Sequence, residues 1–480
     1  MQTVRLPIAA TMRPAIPRRI DPPGPKGIPL LGVALRFRRN PLEFLTKLVA
    51  EYGDVVRVPM MRIPLSPIEP RNQCYVVNHP LLVRQICGAN RRKYRTHHQL
   101  VHKLKATLEL GQGELLTSTG AQWTERKALL QPSFTRMHVA SFDAKVNSCV
   151  RSLVSRWQQL PDGVIVDVDR DITRLVTHLF ASLFLSLDLD AADAELSHVW
   201  ERTLTGLGRR MAAPLAVLHK FPSQRNREFA AALAQVEQRL YQCIQTRRCG
   251  ASQSHDFLAL WMQASQAEDG AGLSDKSLRD QLLLMLLAGR RNVANALSWS
   301  CHLLGQHPKV AQTLFDEVSA KLGDALTTAD KLEPLRYSRM VQREVLRLYP
   351  TAWLIARQCL EDDIVGGYSI PRGVTVFMSP YTLHRHPSYW NDAEVFDPER
   401  FAAGQTIAPE SYLPFGKGPR TCIGNFLTEH IMQVVLVAVS RHFILEPLPG
   451  HAARIKATSS LHPDGGLPMI LKRRTQEVTS

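Results

Sequence analysis

The 480-residue chain has no run of ~20 apolar residues, so no segment reads as a membrane-spanning helix. It has no CxxC pair or other metal-finger spacing. Its eight cysteines, at 74, 87, 149, 243, 249, 301, 359 and 422, are too few and too scattered for a disulfide framework. A reducing, cytoplasmic compartment is therefore expected. There is no internal repeat, no low-complexity tract and no flavin or nicotinamide fingerprint. The N-terminal MQTVRLPIAATMRPAIPRRIDPPGP lacks the apolar core of a signal peptide and is acid-poor before Asp21. Residues 1–20 read as a flexible tail, with an organelle-targeting peptide as the lesser alternative. No composition break marks a linker. Length alone suggests about three domains of ~150 residues, yet residues 21–480 read as a single domain.

What is present is ordinary globular composition, 45% hydrophobic and 21% charged. The net charge is +16, with lysines and arginines scattered rather than run together. With no nucleic-acid motif, that balance suits an acidic protein partner better than nucleic acid. Residues 41–53 have helical spacing, and VVRVPM and CYVVNH read as strands. From about 120 to 350 the helical period dominates, in FDAKVNSCVRSLVSRW, ITRLVTHLFASLFLSL and LRDQLLLMLLAGRRNVANALSWSCHLL among others. DDIVGGYSIPRGVTVFMS alternates and turns at Gly366–Gly367, which predicts a small antiparallel sheet. PDGGLPMILKR predicts another hairpin-like piece. The fold class is mainly α with small β-sheets.

The strongest chemical signal is LPFGKGPRTCIGNFLTEHIMQVVLVAVSRHF. A glycine-punctuated loop leads into Cys422, and a nearly continuous apolar helix follows. A cysteine at a helix N-terminus meets unpaired N–H groups and the positive dipole end, which favour a thiolate. Phe415-Gly416-Lys417-Gly418-Pro419-Arg420-Thr421-Cys422-Ile423-Gly424 fits the FxxGxRxCxG loop of the cytochrome P450 family at every defined position. The chain resembles that family from about Pro22 to Arg474. The resemblance implies a triangular all-helical body with a β-rich lobe. It makes Cys422 the axial thiolate of a b-type haem (iron protoporphyrin IX), with Arg420 on a haem propionate.

Other segments agree. Glu344-Val345-Leu346-Arg347 matches the family's ExxR motif, and Phe396-Asp397-Pro398-Glu399-Arg400-Phe401 is similar to its PERF segment. There Glu344, Arg347 and Arg400 would form a buried structural charge cluster. Trp123 opens a WxxxR-like helix in which Lys127 replaces the usual arginine, keeping the charge but losing the bidentate fork. Arg357, after PTAWLIA, and His384, in LHRHP, are further candidates for a propionate. By family position Ala288, Trp353, Leu354 and Leu461 would line the substrate pocket.

The departure lies in LLLMLLAGRRNVANALSW, residues 282–299. In the family this helix crosses the distal face of the haem and reads AGx(D/E)T(T/S). Here Ala288-Gly289 match, but Arg291 takes the acid's place and Asn292 the alcohol's. That pair normally orders water and relays protons; arginine stays charged and relays none. Three explanations stand: proton delivery through Asn292, water or substrate; an arginine gripping a substrate carboxylate; or arginines paired structurally with an acid on a neighbouring helix. Adjacent helical residues diverge by ~100°, so Arg291 is expected beside the pocket and Arg290 paired or at the surface. The resemblance implies a monooxygenase acting on a small-to-medium hydrophobic substrate of secondary metabolism, one that could bear a carboxylate. Dioxygen and a ferredoxin or flavodoxin with its reductase would be its partners, and the protein would be a monomer. Peroxide-driven chemistry and a catalytically silent haem-binding partner protein are the alternatives.

Overall fold

The computed structural model describes residues 20–28, 32–60, 73–96, 104–111, 114–188, 194–212, 223–250, 254–267, 273–322 and 327–474. The expected tail, residues 1–19, lies outside them.

The helices that position the site are α1 (Gly120–Leu130), α2 (Asp143–Gln158), α3 (Val168–Leu185), α4 (Ala194–Ala212) and α5 (Gln224–Arg248). They are followed by α6 (Asp275–Leu284), α7 (Arg290–Gln306), α8 (Pro308–Leu322), α9 (Arg336–Leu348) and α10 (Asn425–His442). Capping follows local chemistry. Asp167 accepts the Arg170 N–H at the head of α3, and Ser274 accepts the Ser277 N–H at the head of α6. Helices α3, α7 and α10 are buried along most of their length and make up much of the core. Around them Trp157, Trp261, Trp299, Phe142, Phe184 and Phe257 are fully buried, each contributing roughly 2–3 kcal/mol of apolar burial. No described helix is long and apolar enough to cross a membrane.

Between α6 and α7 the chain makes one π-helical turn, Met285–Gly289, so the two helices form one long element with a widened middle. Gly289 sits there because a Cβ would come 3.0 Å from the Phe180 ring of α3.

Of the small sheets, the five-stranded one has cores of its own, whereas the three-stranded one packs into the main helical core. β1 (Val55–Pro59), β2 (Gln73–Val77), β8 (Thr375–Met378), β5 (Ile355–Cys359) and β3 (Tyr94–Thr96) make a five-stranded sheet in that order, with only β2–β8 parallel. β6 (Asp363–Val365) and β7 (Tyr368–Ile370) form the expected hairpin around Gly366–Gly367, both at positive φ. The following VTVFM instead joins the large sheet, where all of its residues but Phe377 are buried. β4 (Val164–Asp167), β12 (Pro468–Arg473) and β9 (Phe443–Pro447) form a three-stranded sheet. The closing PDGGLPMILKR is therefore not a hairpin by itself: its strand pairs with two distant partners, which no local pattern encodes. β10 (Ile455–Ala457) and β11 (Leu461–Pro463) make a short hairpin laid against α7.

Candidate haem-thiolate site

The cysteine loop is held from within and from below. Cys422 N–H donates to the Phe415 carbonyl at 3.0 Å, closing it, and Thr421 Oγ1 donates to the Gly418 carbonyl at 2.7 Å. Gly418 has φ of 80°, and a Cβ there would meet the Cys87 carbonyl oxygen at 2.1 Å. No other residue fits that position. Phe415 is half-buried against the main core.

Cys422 is accessible, although protein surrounds its side chain on most sides; it sits at the mouth of a recess. α10 begins at Asn425 with Gly424 as its N-cap, which leaves Cys422 two residues outside the helix. Burial pushes the thiol up, opposed by a hydrogen bond involving the Gly424 backbone. A bound metal ion, which deprotonates a coordinating thiol outright, is the more effective source of thiolate. Among the described residues no group of three or more His, Cys, Asp or Glu side chains is placed to hold a metal ion. A metal bound at Cys422 must bring its other ligands with it, as a porphyrin does.

Three cations converge beside the loop. Arg420 donates to the carbonyls of Leu115 at 3.2 Å and Ser118 at 2.6 Å, and its guanidinium lies 4.2 Å from the centre of the Trp123 ring. Lys127 donates to the Pro419 carbonyl at 2.7 Å and sits 5.2 Å from the same ring centre. Arg357, on β5, is electrostatically coupled to Arg420. Burial and Arg357 hold Arg420 down at about 10; burial and Arg420 lower Lys127; burial lowers Arg357, with Cys87 opposing. All three are engaged by backbone carbonyls or by one another, and among the described residues no carboxylate figures among their principal neighbours. Like charges gathered in this way fit a dianionic group such as a pair of haem propionates. Trp123 and Lys127 of α1, Arg357 of β5 and Arg420 of the cysteine loop thus come together from three separate segments.

His384 does not belong with them. It is fully buried, and both ring nitrogens are taken: Leu413 N–H donates to Nε2 at 2.7 Å, which leaves Nδ1–H to donate to the Arg347 carbonyl at 3.0 Å. Burial pushes it down to about 3, so it stays neutral and cannot face a propionate as a cation. Its place is in the charge cluster. Arg347 Nε and Nη2 grip Glu344 at 2.7 and 2.8 Å, while its remaining donors meet the carbonyls of His384, Ala393 and Val395. Arg400 Nε reaches Glu344 at 3.3 Å and Asp397 N–H donates to it at 3.0 Å. Through His384 and Leu413 this cluster is tied to the cysteine loop, since Gly416 N–H donates to the Leu413 carbonyl at 3.1 Å.

On the distal helix, Ala288 is exposed and Met285, Gly289, Arg291 and Asn292 are partly accessible, whereas residues 293–304 are buried. Ala288 and Asn292, one turn apart, therefore share an open band, with Arg291 at its edge. Arg290 is 3% accessible; it donates to Thr177 Oγ1 of α3, and its Nε has no partner among the described residues. Burial lowers it to about 10, with Glu201 of α4 opposing. Two expected pocket residues are corrected. Trp353 and Leu461 are buried in a core of the five-stranded sheet, and the Trp353 indole donates to the Thr458 carbonyl at 2.8 Å. Leu354, half-buried, keeps surface. Sequence reasoning missed Asp169 and His462, the titratable neighbours of Arg291. They lie more than a hundred residues from it in either direction, and no motif marks them.

A family model for cytochrome P450 matches residues 22–467. Cyclooctatin synthase of Streptomyces melanosporofaciens is 32% identical over 455 residues, covering 94% of this chain and 95% of its own. Cyclooctat-9-en-7-ol 5-monooxygenase of the same organism is 31% identical over 94% of this chain and 95% of its own. Pentalenene oxygenase of Streptomyces avermitilis is 26% identical over 94% and 97%. The crystal structure of the cytochrome P450DA heme domain superposes with a TM-score of 0.83 at 23% identity, covering 95% of this chain and 98% of that one. The chain belongs to the cytochrome P450 family of haem-thiolate monooxygenases.

Proposed function

We propose that the chain is a haem b monooxygenase that oxidises a small to mid-sized apolar terpenoid of secondary metabolism. It would be a cytoplasmic monomer, with electrons from a separate ferredoxin or flavodoxin and its reductase. The observation that carries the haem assignment is the accessible Cys422 thiol beside three clustered cations that no carboxylate among the described residues answers. The substrate class is supported by the relatives named for cyclooctat-9-en-7-ol and pentalenene.

When bound, the haem would supply the activation of dioxygen, helped by the electron-rich sulfur of a cysteine thiolate. Cys422 would provide that thiolate. Arg420, Arg357 and Lys127, with Trp123 beneath two of them, would hold the propionates. Ala288, small and exposed one helix turn from Asn292, would leave room for a substrate. The Asn292 amide donates and accepts hydrogen bonds, so it can hold a water or a substrate oxygen in place, but it gives up no proton at neutral pH. Leu354 would help exclude bulk water. The protons consumed must then arrive through ordered water or the substrate.

The peroxide-driven alternative needs Arg291 free to grip a carboxylate. Asp169 stands near that guanidinium, which weighs against it. Haem-loaded protein should show the thiolate-type band on carbon monoxide binding, lost in Cys422→Ala. With NADPH and a surrogate ferredoxin pair it should turn over members of a terpene panel. Turnover sustained by hydrogen peroxide but not by the ferredoxin pair would sink the monooxygenase reading.

A further inference from the structure

Along α7, Arg291, Asn295 and Trp299 stand at i, i+4 and i+8, and Ser298 lies within ~20° of Arg291 around the helix axis. The later residues have firm partners. Ser298 Oγ donates to Asp169 Oδ1 of α3 at 2.8 Å. Asn295 Nδ2 donates to Ser460 Oγ at 2.8 Å, and Trp299 Nε1 to the Leu461 carbonyl at 3.4 Å. Those contacts fix what flanks Arg291: Asp169 on one side and His462, next along β11, on the other. The electrostatics agree. Burial lowers Arg291 and Asp169 is the acid opposing that; burial raises Asp169, and Ser298 and Arg291 oppose it. Burial and Arg291 push His462 down, with Lys456 adding to this and Asp464 opposing it. Arg291 makes no hydrogen bond or ion pair within 4 Å among the described residues. Arg291, Asp169 and His462 each keep accessible surface, while Val168, Val293 and Leu461 beside them are buried. Arg291 thus keeps surface that a ligand can reach.

We propose that Asp169 determines substrate charge: acting through Arg291 as the built-in counter-ion of the distal helix, it makes the site accept neutral substrates and turn away carboxylates. This rests on the reading above that the open band of α7 borders the substrate. A carboxylate arriving at Arg291 would have to share the guanidinium with Asp169, and two like charges at one partly buried cation repel. A neutral isoprenoid meets no such opposition. Without the Asp169 charge, a reachable cation is left with no counter-ion and recruits an anion.

The test compares geraniol with geranic acid, which share a carbon skeleton and differ in charge. Binding to the haem-loaded chain is read by the Soret shift and by calorimetry at pH 7.5. Wild type should prefer geraniol. Asp169→Asn should tighten geranic acid about tenfold or more, a modest size for a charge coupling at a desolvated contact, and move geraniol less than about twofold. Adding Arg291→Met to that variant should abolish the gain, which a merely structural role for Asp169 would not predict. Ser298→Ala keeps the carboxylate but frees it; the preference should shift the same way by a smaller factor, and this variant decides the matter if Asp169→Asn does not fold. If geraniol fails to bind wild type while Asp169→Asn still tightens geranic acid, the terpenoid reading falls and the counter-ion stands. An unchanged acid affinity in Asp169→Asn, or wild type that already prefers geranic acid, overturns the proposal.

Discussion

The chain buries arginine in two contrasting ways. Arg347, on α9, has every guanidinium donor used: a bidentate grip on Glu344 and three backbone carbonyls. Arg290, on α7, is as deeply buried but among the described residues has one short side-chain partner, an orphaned Nε and only a distant acid. Desolvation costs both residues alike. The first is over-determined and fixes a loop; the second is tolerated, and its neighbour Arg291 is left reachable. Charge that is fully answered belongs to architecture, whereas charge answered at a distance is where specificity can be set.

That contrast can be broken or sharpened in order of expected effect. Glu344→Gln leaves Arg347 buried without its carboxylate and should cost about 3–5 kcal/mol, or prevent folding; urea unfolding of the haem-loaded chain measures it, and a loss under ~1 kcal/mol would place the cluster with Arg290 instead. His384 comes next. Its folded pKa of about 3 lies below the ordinary ~6.5, so the unfolded state binds more protons between those values. Stability should therefore fall as pH drops through that window, by on the order of 1.4 kcal/mol per unit. His384→Gln, which does not titrate, should flatten this acid limb in thermal unfolding from pH 7 to 4. Lys127→Arg restores a fork beside Trp123 and should slow haem loss a few-fold in transfer to apomyoglobin. Arg290→Met should change stability by less than about 1 kcal/mol in either direction, because desolvation relief offsets the lost hydrogen bond. A cost near that of Glu344→Gln would erase the distinction.

Much of the frame was legible in the sequence. The cysteine loop announced itself because glycine spacing and a fixed arginine leave few other readings, and Gly418 against the Cys87 carbonyl shows the physical reason for one of them. Helix positions followed from periodicity. His384 was misassigned because nothing local says that Leu413, 29 residues on, donates to its ring. Trp353 and Leu461 look like pocket residues by position, yet side-chain direction sends them into a core of the five-stranded sheet. The closing strand pairs with segments more than 20 and more than 300 residues away, beyond any local signal. Asp169 was invisible for the same reason: its partner is in another helix.

The widened turn at Met285–Gly289 has a consequence for insertions and deletions. One residue of α-helix is ~100° of rotation. On one side of the turn, Arg279 is paired with Glu237, and Asp280 accepts the Gly111 N–H. On the other, Asn295 and Trp299 are docked on the β10–β11 hairpin. A π turn holds one residue more than an α turn, so the surplus residue is taken up in the widening and both docked halves keep their phase. A gap or insertion elsewhere in the element would instead rotate one half by ~100° against its partners.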